Sequence, residues 1–263
     1  MKANESRFRA GVLGVALTAT LLAPALSAAP SVDPEADRIF KAACQYLSDA
    51  KSFGVKVEVW KDLVLPSGQK LQITRALEVQ EQRSGRLHIE EHSSRGDRGF
   101  WYQDKSLVML DRTMNLYGVM EVPATLDQAM DAVEERFGIE IPLGDVLVSD
   151  PYHNVMDGVE TADNLGKVTL LGVVCDHLAF TSPNADCQIW IADGGRPLLK
   201  KMVIRFKNET GAPEVTQLFS DWDLVNPISE SVFAFTPPEG AEKVVVDPNK
   251  PEAAAEDTAP EKK

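Results

Sequence analysis

Apolar and polar residues alternate with a period of two along most of this chain. Val55, Val57 and Val59 alternate with Lys56, Glu58 and Trp60; Leu71, Ile73, Leu77 and Val79 alternate with Gln72, Thr74, Ala76 and Glu78. Period two places every second side chain on one face of a strand, so the chain must build a sheet with one buried face. Further runs of this kind are expected at 87–89, 100–102, 107–110, 114–120, near 159, and at 167–174, 176–181, 188–191, 198–207 and 214–224. Pro66-Ser67-Gly68, Ser84-Gly85 and a pair of glycines, Gly96 and Gly99, mark turns between them. Helical periodicity interrupts the pattern only briefly. Asp33-Pro34 opens a helix whose apolar face is Ala36, Ile39, Phe40, Ala43, Cys44 and Leu47, with Gly54 as its stop. Thr125 and Gln128 form a capping box ahead of Leu126, Ala129, Met130, Val133 and Phe137, with Gly138 as the stop. A shorter helix is expected from about Pro142 to Val148. So few helices cannot supply the crossovers a parallel sheet needs, so the strands are mostly antiparallel.

The two ends read differently from this body. Lys2, Arg7 and Arg9 precede an apolar run, Gly11–Leu22, and a small-residue stretch, Ala25-Leu26-Ser27-Ala28-Ala29. That is the pattern of a cleaved secretory signal over residues 1–29, too short to span a bilayer. The nearest cysteine, Cys44, lies inside a helix pattern, so a lipid anchor is not expected. Residues 30–246 form the β-rich body. Residues 247–263 hold Pro, Ala, Glu and Lys without an apolar period, the composition of a disordered acidic tail. The expected product is a monomer, soluble outside the cytoplasm, with no membrane anchor. Its 40 acidic against 27 basic residues, a net charge of −13, exclude attraction to nucleic acid.

Three cysteines in an oxidising compartment leave at least one unpaired. Cys175 and Cys187 are close in sequence but ill placed to bond. A hairpin turning at Ser182–Asp186 sets Phe180 opposite Cys187 and Ala192 opposite Cys175. The two thiols are then about five residues out of register, roughly 17 Å apart along the strand, and on opposite faces. Three free thiols are expected, with Cys44 bonded to Cys175 or Cys187 as the alternative.

Several strings imitate catalytic motifs. His88-Ile89-Glu90-Glu91-His92 matches the H-x-x-E-H pattern of inverted zinc peptidases, but that chemistry needs a helix, and here the string lies in strand context between Gly85 and Gly96. Cys175 and His177 share a strand face without a third orienting group. Ser48-Asp49-Ala50-Lys51 lacks the companion motifs of S-x-x-K enzymes. No catalytic residue, metal site or cofactor is assigned. Two arginines are more informative, because Arg75 and Arg83 share the parity of the apolar positions along their strand. A cation on an apolar face needs partners and can serve as a latch or a headgroup ligand. Leu107–Leu110 and Met202–Ile204 are apolar on both faces and need cover on both, from packed helices or from a lipid-like ligand.

Several ordered segments resemble one known family. They include Phe100-Trp101-Tyr102-Gln103-Asp104-Lys105-Ser106-Leu107, Ser149-Asp150-Pro151-Tyr152, Gly172–Phe180 and Gln188-Ile189-Trp190-Ile191. Arg196-Pro197-Leu198, Ser220-Asp221-Trp222 and Phe233–Pro238 continue the match. Together they are similar to an uncharacterised family of predicted periplasmic proteins grouped with the LolA and LolB lipoprotein carriers. The resemblance implies an α+β fold: a half-open, curved antiparallel sheet, an incomplete barrel, with two or three helices in its mouth. It also implies acyl-chain binding on the concave face, where Val57, Val59, Leu77 and Val79 would lie. In LolA an arginine at the end of the second strand holds a lid; Arg83 stands at the similar place, followed by Ser84 rather than proline. Asp104-Lys105 replaces the usual Asp-Gly-Lys of related hairpins. The expected function is a periplasmic binding or carrier protein for an acyl-chain-bearing, lipid or lipoprotein-like molecule. The alternative is a non-enzymatic module of the same fold that senses envelope components and binds an envelope protein.

Overall fold

A computed structural model describes residues 31–83, 85–137 and 147–246. The expected signal, the expected tail, Ser84, Gly138 and most of the expected 142–148 helix lie outside those residues. Helix α1 (Pro34–Ser48) starts where Asp33 caps it: its carboxylate accepts the Glu35 amide at 2.8 Å, and Pro34 fills the first turn. Its apolar stripe is buried as the period requires. Helix α2 (Leu126–Phe137) buries Ala129, Met130, Val133 and Phe137, and Thr125 Oγ1 accepts the Gln128 amide at 3.4 Å. Helix α3 (Pro151–Met156) is capped by Asp150, whose side chain accepts the His153 amide.

The strands are β1 (Ser52–Val64), β2 (Lys70–Gln82), β3 (Arg86–Ser93), β4 (Gly96–Gln103), β5 (Ser106–Asp111) and β6 (Leu116–Glu121). After the helices come β7 (Thr161–Leu170), β8 (Val173–Thr181), β9 (Ala185–Ala192), β10 (Leu199–Phe206), β11 (Glu214–Asp223) and β12 (Glu242–Val244). Among the described residues these make one sheet of twelve strands in the order β12-β6-β5-β4-β3-β2-β1-β11-β10-β9-β8-β7. Every pairing is antiparallel except β12 on β6. The sheet has two edges, β12 and β7, and is not closed into a barrel. The pairing of β1 with β11 joins two meanders that are far apart in sequence.

Helices α1 and α2 cover the inner face, where Phe53, Val55, Val57, Val59, Leu77, Val79, Leu87, Ile89, Phe100, Tyr102 and Phe219 form one core with them. Phe40 of α1 meets the Phe180 ring at 5.3 Å and the Tyr152 ring of α3 at 6.0 Å. The Tyr152 hydroxyl bonds the Asp37 carboxylate, tying α3 to α1. That bond, first, and burial, second, push the phenol up to about 12.

Several boundaries depart from the expected ones. Helix α1 ends at Ser48, with Asp49 as its cap; Gly54 lies inside β1, at the irregular step where β1 pairs β11. The run 167–174 is broken by a hairpin turn, because Leu171 and Gly172 both take positive φ, 47° and 81°. Gly99 is no turn residue. It sits mid-strand in β4, where the Trp101 indole lies over it and would collide with a Cβ. The second face of Leu107–Leu110 is covered by the C-terminal segment rather than by a packed helix. Val108 and Leu110 join Trp101 in an outer cluster, and the extended C-terminal segment seals it with Phe235, 5.0 Å from the Trp101 ring.

Candidate functional site

The alternation of β1 and β2 does bring the sequence-derived residues to one face. Val57 pairs Leu77 and Val55 pairs Val79 across β1 and β2; Val57 pairs Phe219 and Val59 pairs Gln217 across β1 and β11. All lie beneath the helices: Val57 and Val79 are 1% exposed, Leu77 2% and Val59 8%. The open space begins one step further along the same face. A cavity of about 1150 Å³ is lined by Leu63, Val64, Val215 and Gln217 from the sheet, by Leu65 just past β1, by Met130 of α2 and by Val148. Lys61, Asp62, Asp131, Glu134, Asn154 and Glu209 add polar groups to its wall. A smaller adjoining cavity of about 220 Å³, which shares Asn154 and Phe206 with it, runs under α3 along Val155, Phe180, Met202 and Ile204.

Sequence reasoning missed Leu63, Met130, Val148, Val215 and Gln217 as cavity residues. Leu63 continues the parity of Val57 and Val59, and that signal could have found it. The others depend on β1 meeting β11 and on where α2 lies.

At the other end of β2 the chain places two charges on the apolar face. Glu81 is 2% exposed. Its Oε1 accepts from Arg83 Nη1 at 2.7 Å, and its Oε2 has no partner. Burial pushes this carboxyl up to about 7; the Arg83 charge opposes the rise and Asp127 adds to it. Arg83 Nη1 also donates to the carbonyls of Leu147 and Val148, at 3.3 and 3.5 Å, and its guanidinium lies over the Phe53 ring at 5.4 Å. Arg83 Nε and Nη2 are buried without partners. The next residue of that strap, Ser149, donates its amide to Asp127 Oδ1 at 3.0 Å and its hydroxyl to Asp127 Oδ2. The strap 147–149 is thus tied to the sheet by Arg83 and to α2 by Asp127, and Val148 forms part of the cavity wall. Arg75, on the same face, pairs with Glu91 at 3.8 Å.

The motif-like strings have other occupations. In β3 both His88 and His92 lie on the outer face, and Glu91 of the H-x-x-E-H string lies on the inner one. His88 stacks on Trp101 at 4.8 Å and meets Glu90, which Arg112 grips with two donors. His177 stacks on Trp190 at 4.1 Å and meets Gln188, while the Cys175 thiol points at the Val173 carbonyl. The cysteine register is the expected one: Phe180 pairs Cys187 and Ala192 pairs Cys175, and none of the three cysteines is in a disulfide.

A family model described as predicted periplasmic protein (DUF2092) matches residues 36–247. The chain belongs to that family. Among the described residues of this DUF2092 protein, no helix is long and apolar enough to cross a membrane. A search of curated proteins finds none that matches the sequence. Solved structures give remote likenesses. The lipoprotein LppX of Mycobacterium tuberculosis is 14% identical, with a TM-score of 0.46 over 75% of this chain and 98% of its own. A LolA superfamily protein from Nitrosomonas europaea is 10% identical, with a TM-score of 0.39 over 76% of this chain and 97% of its own. MucB in the MucA/MucB complex of Pseudomonas aeruginosa is 8% identical, with a TM-score of 0.40 over 76% of this chain and 61% of that one.

Proposed function

We propose that this protein is a periplasmic binding or carrier protein for an acyl-chain-bearing, lipid or lipoprotein-like molecule, delivered by a cleaved signal over residues 1–29 and working without catalysis. One observation carries the reading: an open cavity of about 1150 Å³, part of whose wall is Leu63, Val215 and Met130, adjoins the buried face of a sheet that does not close. Ligand sites are commonly concave spaces of about 300–1000 Å³ with apolar walls and a few polar groups. The chain of the ligand would enter along Leu63, Val215 and Met130 and extend toward Val59. Val57, Leu77 and Val79, now covered by helices, would meet it as those helices shift. Arg83 would act as the latch, holding the strap 147–149 until the ligand displaces it. Burying ten methylenes is worth about 8 kcal/mol gross; a micromolar Kd needs about 8 kcal/mol net, so a longer chain or added head-group contacts must cover the lost motion.

The test is a fluorescent fatty-acyl probe displaced by natural lipids and lipopeptides. The expected result is saturable binding with a Kd of roughly micromolar order. Leu63→Glu should weaken it strongly while the melting transition persists, because that side chain borders the cavity. Absence of binding at about tens of micromolar by acyl or alkyl probes of either head-group charge would overturn the carrier reading and favour a module that engages an envelope protein.

A further inference from the structure

The cavity wall has a polar feature that a purely apolar chain would leave unsatisfied. Gln217 is 7% exposed and lies in β11 between Val59 of β1 and Met202 of β10. Its Oε1 is buried and accepts no hydrogen bond, yet the side chain lines the cavity. A buried acceptor without a donor costs roughly 1–3 kcal/mol, so an unpaired amide there is an unmet demand for an N–H or O–H group. The charged groups around the cavity point the same way. Asp62, Asp131, Glu134 and Glu209 line it against Lys61 alone. Lys70 reaches in from outside the lining and pairs with Asp62 at 3.1 Å. Asp131 and Glu134 stand on the exposed side of α2, so they are not core charges with structural duties.

We propose that the cavity selects amphiphiles whose chain ends in a hydrogen-bond-donating cation, an alkyl or acyl primary amine, over fatty acids and other anionic amphiphiles. The proposal rests on the acyl-binding reading and adds the head group to it. The ammonium donates to Gln217 Oε1, and the acidic wall supplies the complementary potential. A carboxylate head can do neither: it brings a second acceptor to an acceptor and a negative charge to a negative wall. Both ligands bury the same chain, so the head alone decides between them.

Three probes with one chain length separate these contributions: dodecylammonium, dodecyltrimethylammonium and dodecanoate. Each is titrated calorimetrically, below its aggregation threshold, at neutral pH and low salt. Dodecylammonium should bind at least about tenfold tighter than dodecanoate, and the gap should shrink as salt screens the wall. Gln217→Leu should weaken dodecylammonium about ten- to a hundredfold, as expected for one charge-assisted hydrogen bond. It should leave dodecyltrimethylammonium, which has no N–H, within about twofold. Asp131→Asn combined with Glu134→Gln should close most of the cation–anion gap. Dodecanoate binding as tightly as dodecylammonium would overturn the proposal and leave the carrier reading standing. So would an ammonium-to-trimethylammonium ratio that Gln217→Leu does not change. Binding of none of the three would overturn the carrier reading itself. The double variant changes only exposed helix residues, so it decides the question even if Gln217→Leu fails to fold.

Discussion

Glu81→Gln isolates a carboxyl that the fold buries beside the Arg83 guanidinium. In the folded protein burial raises this group to about 7, against an ordinary value of 4.5 in the unfolded chain. The native state therefore binds a proton that the unfolded state has already released between those values. By linkage, stability from this group is fully present below about 4.5 and is lost as the pH rises through about 7. At about 1.4 kcal/mol per pH unit, the gap corresponds to roughly 3 kcal/mol. Glutamine keeps an oxygen for Arg83 Nη1 but does not titrate. Urea unfolding of wild type and Glu81→Gln at pH 4.5, 6 and 8 gives the difference in stability directly, and the other titrating groups cancel. The wild type should lose about 2–3 kcal/mol relative to the variant across that range. A difference that stays flat would refute the reasoning. So would one in which the wild type gains with pH, because Arg83 at 2.7 Å would then hold Glu81 as a carboxylate below its ordinary range.

Three further outcomes are expected. Arg83→Met removes the donor to Leu147 and Val148, so amide hydrogen exchange in the strap and at Ser149 should accelerate at least tenfold, with α1 unchanged; equal protection would show that Asp127 alone holds the strap. Lys105→Gly should raise stability by about 0.5–1 kcal/mol by thermal melting, because Asp104 and Lys105 form a two-residue hairpin turn with φ of 50° and 65°, which glycine accepts without strain. Thiol titration should find all three cysteines reactive in denaturant, but in the native state Cys187 should react first; Cys44, pushed up to about 12 by burial and then by Asp150, should resist alkylation near neutral pH.

The period-two alternation by itself determined most strands, the inner parity of Val57, Val59, Leu77, Val79, Arg75 and Arg83, and the hairpin register that separates Cys175 from Cys187. These are local properties: side-chain direction follows from parity, and a short turn fixes the register of its own two strands. The start of α1 was legible for the same reason, since Asp33 and Pro34 act on the first turn alone. Other features were not local. Gly99 read as a turn because only the folded sheet lays the Trp101 indole across it. The outer cover of Val108 and Leu110 comes from Phe235, more than a hundred residues away. The cavity exists because β1 pairs β11, which sets Lys61 opposite Val215 and Val59 opposite Gln217, and because α2 brings Met130 over that junction. No local pattern encodes which distant strand a strand will join. That choice is made by the burial of whole faces at once, so the sequence determined the apolar face and the tertiary structure decided where along it the protein stays open.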